Sequence, residues 1–479
     1  MALAVCGCGD GGAATAGAAT EVSGADGLTL GPTGATSSAT TGASAASGAS
    51  DGGETGGSKF DVGPEGTAGS DGGCEPLAAD ATLSGTVLAP NLAIPVSGAL
   101  VYASATPPEG IPQEVYCDEC VALDCDVPYT LSAADGSFSL PVEAGVQYVV
   151  VQKGQFMRVT EVDVPTGATA LGAEVTAFPD HNDPAQGLFI PKIALALGVH
   201  DRLEDALGKL GLADTLIDED YWETFVPGTE QFDVWDNNGM GSEAELQGTL
   251  AELLEDYARL EQYHILFVPC SNDLHLEAIE GELGRENIRK WVAAGGKFYV
   301  ADWSNEFLDA PFGQYQTFYK DEWGETDFVG EYDSLGTVLD PGLLAWLSAL
   351  PPGLKDINPL NGGGDEHPTL GALPQIQTVD LFSGIEATHE VLVDDGEGGQ
   401  IDVGHKVWIE GPGDGTPVPA TPHPLTVTGA YGCGKIMFTT YHMAEFTTSY
   451  VGLTPQELVL LYLILELGVC QTPYAPPPT

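Results

Sequence analysis

The spacing of apolar positions changes its rhythm along the chain. From residue 80 to 178, apolar residues alternate with small or polar ones in short runs: "ATLSGTVLAP", "SGALVYASA", "DGSFSLPVEAGVQYVVVQKG" and "MRVTEVDVP". Gly, Pro and Asp separate the runs. This period of two predicts a small antiparallel β-sandwich. From 188 to 472, uninterrupted apolar runs such as "IPKIALALGV", "YHILFVP", "KFYVADW" and "GKIMFTTYH" alternate with segments of helical period. Strands buried on both faces have this texture. "HDRLEDALGKLGL" sets Leu203, Leu207 and Leu210 on one helical face and ends at Gly211, suited to a cap. "EAELQGTLAELLEDYARLEQ" reads as one long amphipathic helix. "ENIRKWVAAGG" is a Gly-capped helix, and "TPQELVLLYLILELG" is a buried last helix opened by a Thr454/Glu457 capping box. The alternation predicts a flavodoxin-like three-layer α/β domain with a mostly parallel sheet.

Two regions follow neither rhythm. Residues 9–73 are almost wholly Gly, Ala, Ser, Thr and acid, with Phe60 and Lys59 as the lone aromatic and basic residue. Such a segment cannot bury enough apolar surface to offset its chain entropy and is expected to be a disordered tether. Residues 305–430 mix aromatics with Pro/Gly-rich stretches and read as an insertion-rich wall or partner surface. Tyr315, Phe318, Tyr319 and Trp323 are candidates there for stacking on a sugar, with burial in the core as the commoner fate of such residues.

The 479 residues carry 15 Lys+Arg against 70 Asp+Glu, a formal net charge of −55. That excludes a phosphate-tracking surface, and nucleic acid is not an expected partner. The acidity fits a solvated surface and leaves a divalent cation open, although no metal motif is present. "DVWDNNG" at 233–239 misses the calcium-loop register, and turn chemistry accounts for it. Residues 1–8, "MALAVCGC", resemble the remnant of a bacterial lipoprotein signal, with Cys8 behind Gly7 as the lipidated cysteine. The expectation is a monomer of the bacterial cell envelope, secreted or held to the membrane by its lipid alone.

Residues 80–178 resemble the carboxypeptidase regulatory-like (transthyretin-like) domain through "SGTV", "GALVYA", "DGSFSLPV" and "GVQYVVV". That resemblance implies a spacer without catalytic residues. The insertion "PPEGIPQEVYCDECVALDCDVPYT" departs from the pattern. Residues 188–472 resemble the class I glutamine amidotransferase-like superfamily, particularly its trehalose-utilisation (ThuA-like) branch. The resemblance lies in "IALALGVHDRLEDALGKLG", "YHILFVP", "NIRKWVAAGGKFYVADW" and "GKIMFTTYHMAEF". It places the family's nucleophile elbow at or near Asp302, where no cysteine and no flanking glycine stand. The implied domain is therefore catalytically degenerate, binding a carbohydrate or other small ligand or serving as an envelope scaffold.

Ligands of open parallel sheets bind beyond the carboxyl ends of the strands. Four such ends carry polar residues: His200 and Asp201; Cys270, Ser271, Asn272 and Asp273; Asp302, Trp303 and Ser304; Tyr441 and His442. Polar residues also cap helices at these positions. A sharper alternative is a hydrolase with Cys270 as nucleophile, His442 as base and Asp302 orienting it, or a metal held by Asp and His. Nine cysteines occur. Cys74, Cys117, Cys120 and Cys125 form a disulfide or, less readily, a zinc set. Cys433 precedes a strand of seven residues rising about 23 Å at ~3.3 Å each. The last helix, of about 15 residues, returns about 22 Å at ~1.5 Å each. This predicts a Cys433–Cys470 disulfide and leaves Cys270 as the odd thiol.

Overall fold

The computed structural model describes residues 79–118, 123–124, 126–238, 244–272, 275–322, 324, 328–356, 370–396, 398–415, 417–443, 449–467 and 476–477. The expectations for Cys8, the tether, Cys74, Cys120, Cys125, Asp273, Trp323 and Cys470 lie outside these residues. No helix among the described residues is long and apolar enough to cross a membrane.

The amino-terminal part forms two sheets. One orders Ser137–Val142, Ala81–Thr86 and Gly167–Ala170; the other orders Tyr129–Leu131, Leu100–Ser104, Gly145–Lys153, Phe156–Val164 and Leu188–Phe189. The period-two reading holds residue by residue in Ser137–Val142, where Phe138, Leu140 and Val142 are buried and Ser137, Ser139 and Pro141 are exposed. The three buried side chains share one core with Val101, Val149 and Val151 of the second sheet. The pairing is not wholly antiparallel, because Gly167–Ala170 runs parallel to Ala81–Thr86.

The second part is built on a mixed sheet of ten strands among the described residues. Leu246–Thr249, Asp233–Asp236, Ile193–Ala196, Ile265–Val268, Lys297–Ala301 and Gly434–Thr439 lie side by side in parallel. Pro422–Tyr431, Lys406–Pro412, Tyr332–Val338 and Gln375–Leu381 continue the sheet with antiparallel pairing. Residues 305–430 therefore extend the sheet rather than standing outside it. The apolar runs are explained by burial on both faces. Ile193, Leu195, Ile265, Phe267, Tyr299 and Met437 join one core, whereas Ala194, Ala196, Leu266, Val268, Phe298 and Ile436 join another. The helix Pro455–Leu467 contributes to the first core, and Ile288, Trp291 and Val292 of the helix Glu282–Ala293 contribute to the second.

The long helix predicted over 243–262 is broken within its described residues. Its first part is the strand Leu246–Thr249, with Gly248 at φ 149°. Thr249 then opens the helix Leu250–Glu255 by a capping box with Glu252, and Asp256 opens Tyr257–Leu260 by accepting from Ala258 N. Side-chain oxygens that bond backbone N–H groups compete with helix continuation, and here they prevail over the amphipathic pattern. Gly211 leaves its helix at φ 99°, as expected of a cap. Asp236 accepts from Asn238 N at 3.0 Å, an ordinary turn bond.

The disulfide expectation is corrected. Cys433 pairs with Cys117, with Cα atoms 5.1 Å apart, and so is not available to Cys470. Cys433 does sit at the amino edge of the central strands, as the rise-and-return argument required. The β-part's insertion reaches that same edge. Val115 N donates to Glu261 O, and Tyr116 O lies against Gly295, where φ is 123° and any Cβ would collide with it. The two parts also share one hydrophobic core, and the described residues belong to one compact unit.

His264 seals this junction. Its Nδ1 accepts from Lys192 N at 2.8 Å, which requires a neutral ring, and Nε2 faces Glu114 O at 3.1 Å. Burial and the nearby Lys297 charge push its pKa down to about 4. A histidine depressed in the fold stabilises above its unfolded pKa of about 6.5 and loses that contribution as pH falls towards 4. We expect acidification from pH 7 to 4 to lower the unfolding free energy by about 3 kcal/mol through this residue. His264→Gln should flatten that slope in denaturant titrations at the two pH values, and an unchanged slope would remove His264 from the account.

Candidate functional site

The four central parallel strands end together, and the side chains that follow them meet. Ile193–Ala196 leads to His200 and Asp201, Ile265–Val268 to Cys270 and Ser271, Lys297–Ala301 to Asp302 and Trp303, and Gly434–Thr439 to Tyr441 and His442. Asp302 is the hub. The chain turns sharply there into the 3-10 segment Asp302–Ser304, with Asp302 at φ 50°, a left-handed conformation that costs a non-glycine residue of order 1 kcal/mol. Its carboxylate is fully buried, yet four donors face it. Oδ1 accepts from Phe382 N at 2.9 Å and Ser383 N at 2.8 Å. Oδ2 lies 3.3 Å from His442 Nδ1 and 3.6 Å from Cys270 Sγ.

The charges follow from this geometry. Burial pushes the Asp302 carboxyl up, and His442 with the two N–H groups draws it back. A carboxyl group met by four donors serves as an acceptor, so we take it as ionised. Burial alone would depress His442, but the bond to Asp302 and the charge of Asp201 outweigh it and raise its pKa. The Cys270 thiol is pushed well above its ordinary range, first by complete burial and then by the Asp302 charge. His200 is lowered by burial and by His442.

The sequence-derived residues divide into two groups. Cys270, Asp302 and His442 converge, each offering a ligand atom within 4.8 Å of the others. Asp201, Ser271, Ser304 and Tyr441 brace the strand ends. Asp201 accepts from Met443 N at 3.0 Å, Ser271 Oγ from Val199 N at 3.2 Å, Ser304 donates to Pro269 O at 2.6 Å, and Tyr441 bonds Thr426 at 2.6 Å. Asn272 is partly exposed beside them, its carbonyl facing Ser271 Oγ at 3.2 Å. Tyr315 and Phe318, candidates for sugar stacking, are buried in the core, and Tyr319 is half-buried. The aromatic cluster at the strand ends is instead made by half-buried Trp303, His200, Phe328 and Phe382. His200 stacks on Trp303 at 5.4 Å, and Trp303 meets Phe328 at 4.9 Å and Phe382 at 6.2 Å. Phe382 also packs on His442 at 5.4 Å. Sequence reasoning missed Phe328, Phe382 and the two N–H groups on Asp302, because they arrive on chain beyond the parallel strands.

For cysteine hydrolysis the order of contacts matters. A nucleophile needs its base within hydrogen-bond reach. Here Cys270 faces the carboxylate, and the imidazole's bond is to that same carboxylate. We expect Cys270 to resist a small alkylating reagent in the native protein at neutral pH and to react after denaturation, as read by mass mapping. Rapid native labelling at Cys270 alone would restore the nucleophile.

No family model and no curated protein matches the chain. Among solved structures, the fold is similar to a cytoplasmic protein from Salmonella typhimurium, at 12% identity and TM-score 0.27 over 57% of this chain and 98% of that one. It is similar to a protein of Bacteroides uniformis provisionally described as ThuA-like, at 11% identity and TM-score 0.27 over 57% and 90%. A third likeness is to a B. uniformis protein provisionally described as carbohydrate binding, at 16% identity and TM-score 0.14; it covers 21% of this chain and 41% of that one.

Proposed function

We propose that this chain is a ligand-binding protein of the bacterial cell envelope, lipid-anchored at Cys8 and held off the membrane by the 9–73 tether. In this reading the amino-terminal sheets are a carboxypeptidase regulatory-like β-sandwich serving as a spacer. The α/β part is a flavodoxin-like, ThuA-like domain whose elbow carries Asp302 in place of a nucleophile. Its ligand is a carbohydrate or similar small molecule, taken up by a monomer at the carboxyl edge of the sheet.

The aromatic group of Trp303, His200, Phe328 and Phe382 carries the reading. Half-buried rings stacked beside buried polar groups suit a ring with an apolar face and hydroxyl edges. Glycan-array binding followed by fluorescence titration of the tryptophans tests it. A bound saccharide should lose about 3–10-fold in affinity with Trp303→Ala, the scale of one aromatic stacking contact. Absence of binding to any saccharide, or an affinity indifferent to Trp303, would end the carbohydrate reading. Anchoring is tested separately by fatty-acid labelling of the wild type and Cys8→Ser in a bacterial host.

A further inference from the structure

We propose that Cys270, Asp302 and His442 together form a binding site for one zinc-class divalent cation, with the fourth coordination position left to an exchangeable oxygen ligand. The site goes beyond the carbohydrate reading, which stands on different side chains.

Three observations carry it. The first is the donor set: a thiol, an imidazole and a carboxylate are delivered by three adjacent strands to one point, each within 4.8 Å of the others. Thiolate with imidazole selects a borderline cation such as zinc over magnesium or calcium. The second is the spacing. Zinc holds nitrogen and oxygen donors at about 2.0–2.2 Å and sulfur at about 2.3 Å, which in a tetrahedron places N and O about 3.3 Å apart and S and O about 3.6 Å apart. The observed separations are 3.3 Å for Nδ1–Oδ2 and 3.6 Å for Sγ–Oδ2. The same separations serve as hydrogen bonds without a metal, so the three groups already stand at ligand spacing and need not move to receive one.

The third is charge. All three side chains are buried. A doubly charged cation with one thiolate, one carboxylate and one neutral imidazole sums to zero, the state in which a buried ionic cluster costs least. The cation would take the place of the Sγ and Nδ1 protons that face Oδ2. Meanwhile Oδ1 stays fixed by Phe382 N and Ser383 N, so one carboxylate oxygen is committed to the scaffold and the other is free to ligate. Outer bonds of this kind orient a ligating carboxylate. Three protein donors with an open fourth position are the pattern of a zinc site that exchanges ligands.

The test uses the full chain purified without chelator. Elemental mass spectrometry should find about one zinc per chain, and metal-free protein titrated with cobalt should develop a thiolate-to-cobalt charge-transfer band. Cys270→Ser should abolish that band. His442→Gln should weaken zinc affinity by more than about 100-fold, since even changes outside the ligand shell cost 10–100-fold. Melting curves of the metal-free proteins establish that each variant is folded. The wild-type titration alone decides the matter if they are not. A wild type that takes up no zinc or cobalt, or a band that persists in Cys270→Ser, would overturn the site. Neither result touches saccharide binding through Trp303, so the two ideas fail separately.

Discussion

Breaking the Cys117–Cys433 bridge should lower the melting temperature by about 4–6 °C, whether by Cys433→Ser or by reduction of the wild type. The bond joins residues 316 apart in sequence. In the chain-entropy account, closing a loop of that length removes disorder from the unfolded chain worth about 5 kcal/mol, more than the usual 2–4 kcal/mol of shorter loops. Unfolding entropy grows with chain length, so the same free energy moves the midpoint of a long chain by fewer degrees than that of a small domain. The bond also holds the 112–118 segment against the Gly295 turn, so its loss should expose Tyr116 and His264 to exchange. Calorimetry of oxidised and variant protein measures the shift, and a non-reducing digest identifies the pairing. A digest joining Cys433 to Cys470 would reinstate the pairing read from the strand-and-helix lengths.

Glu457→Ala should cost about 4–6 kcal/mol, a large share of the roughly 5–15 kcal/mol that holds an ordinary protein folded. The helix Pro455–Leu467 is buried along its described length, and Glu457 is the acid inside its first turn. One carboxylate oxygen accepts from Lys209 Nζ at 2.8 Å, and the other accepts from Thr454 N at 2.7 Å. Thr454 Oγ1 returns the contact to Glu457 N at 3.2 Å, completing the capping box. Burial pushes this carboxyl up and Lys209 draws it down. Alanine would remove the glutamate's half of the capping box, leaving Thr454 N unpaired at about 1 kcal/mol, and strand the buried Lys209 ammonium, worth about 3–5 kcal/mol. Glu457→Gln keeps an acceptor for the cap and should fall between wild type and alanine. The double change Glu457→Met with Lys209→Met should recover most of the loss, because it removes both charges from the interior. Urea titrations separate these cases, and a cost under about 1 kcal/mol for alanine would mean that the pair contributes nothing beyond an ordinary surface contact.

The legible part of the fold was the part with a local signal. Runs such as "YHILFVP" and "GKIMFTTYH" announced strands covered on both faces, and a parallel sheet gathers whatever follows its strands. Hence the convergence of Cys270, Asp302 and His442 follows from strand order and the residues after each strand. Phe382 and Ser383 could not, because the strand before them pairs antiparallel on the far side of the sheet and carries no motif. Thr249, Glu252 and Asp256 were readable as caps, but the amphipathic pattern over 243–262 masked them. The cysteine pairing failed for a different reason. Strand and helix lengths put Cys433 at the amino edge of the sheet, but they carry no trace of the β-part's insertion, which reaches the same edge.

That pairing constrains how the molecule can be made. Cys117 leaves the ribosome some three hundred residues ahead of its mate, with Cys120 and Cys125 its nearest companions in the chain. A bond from Cys117 to either of these neighbours during synthesis would be non-native, since its mate is Cys433. The native bond requires that Cys117 be kept reduced or be reshuffled by thiol–disulfide exchange once the last strands have emerged. The order of synthesis thus makes the yield of native protein depend on how thiols are handled while the chain is still growing, and not on the supply of oxidant alone.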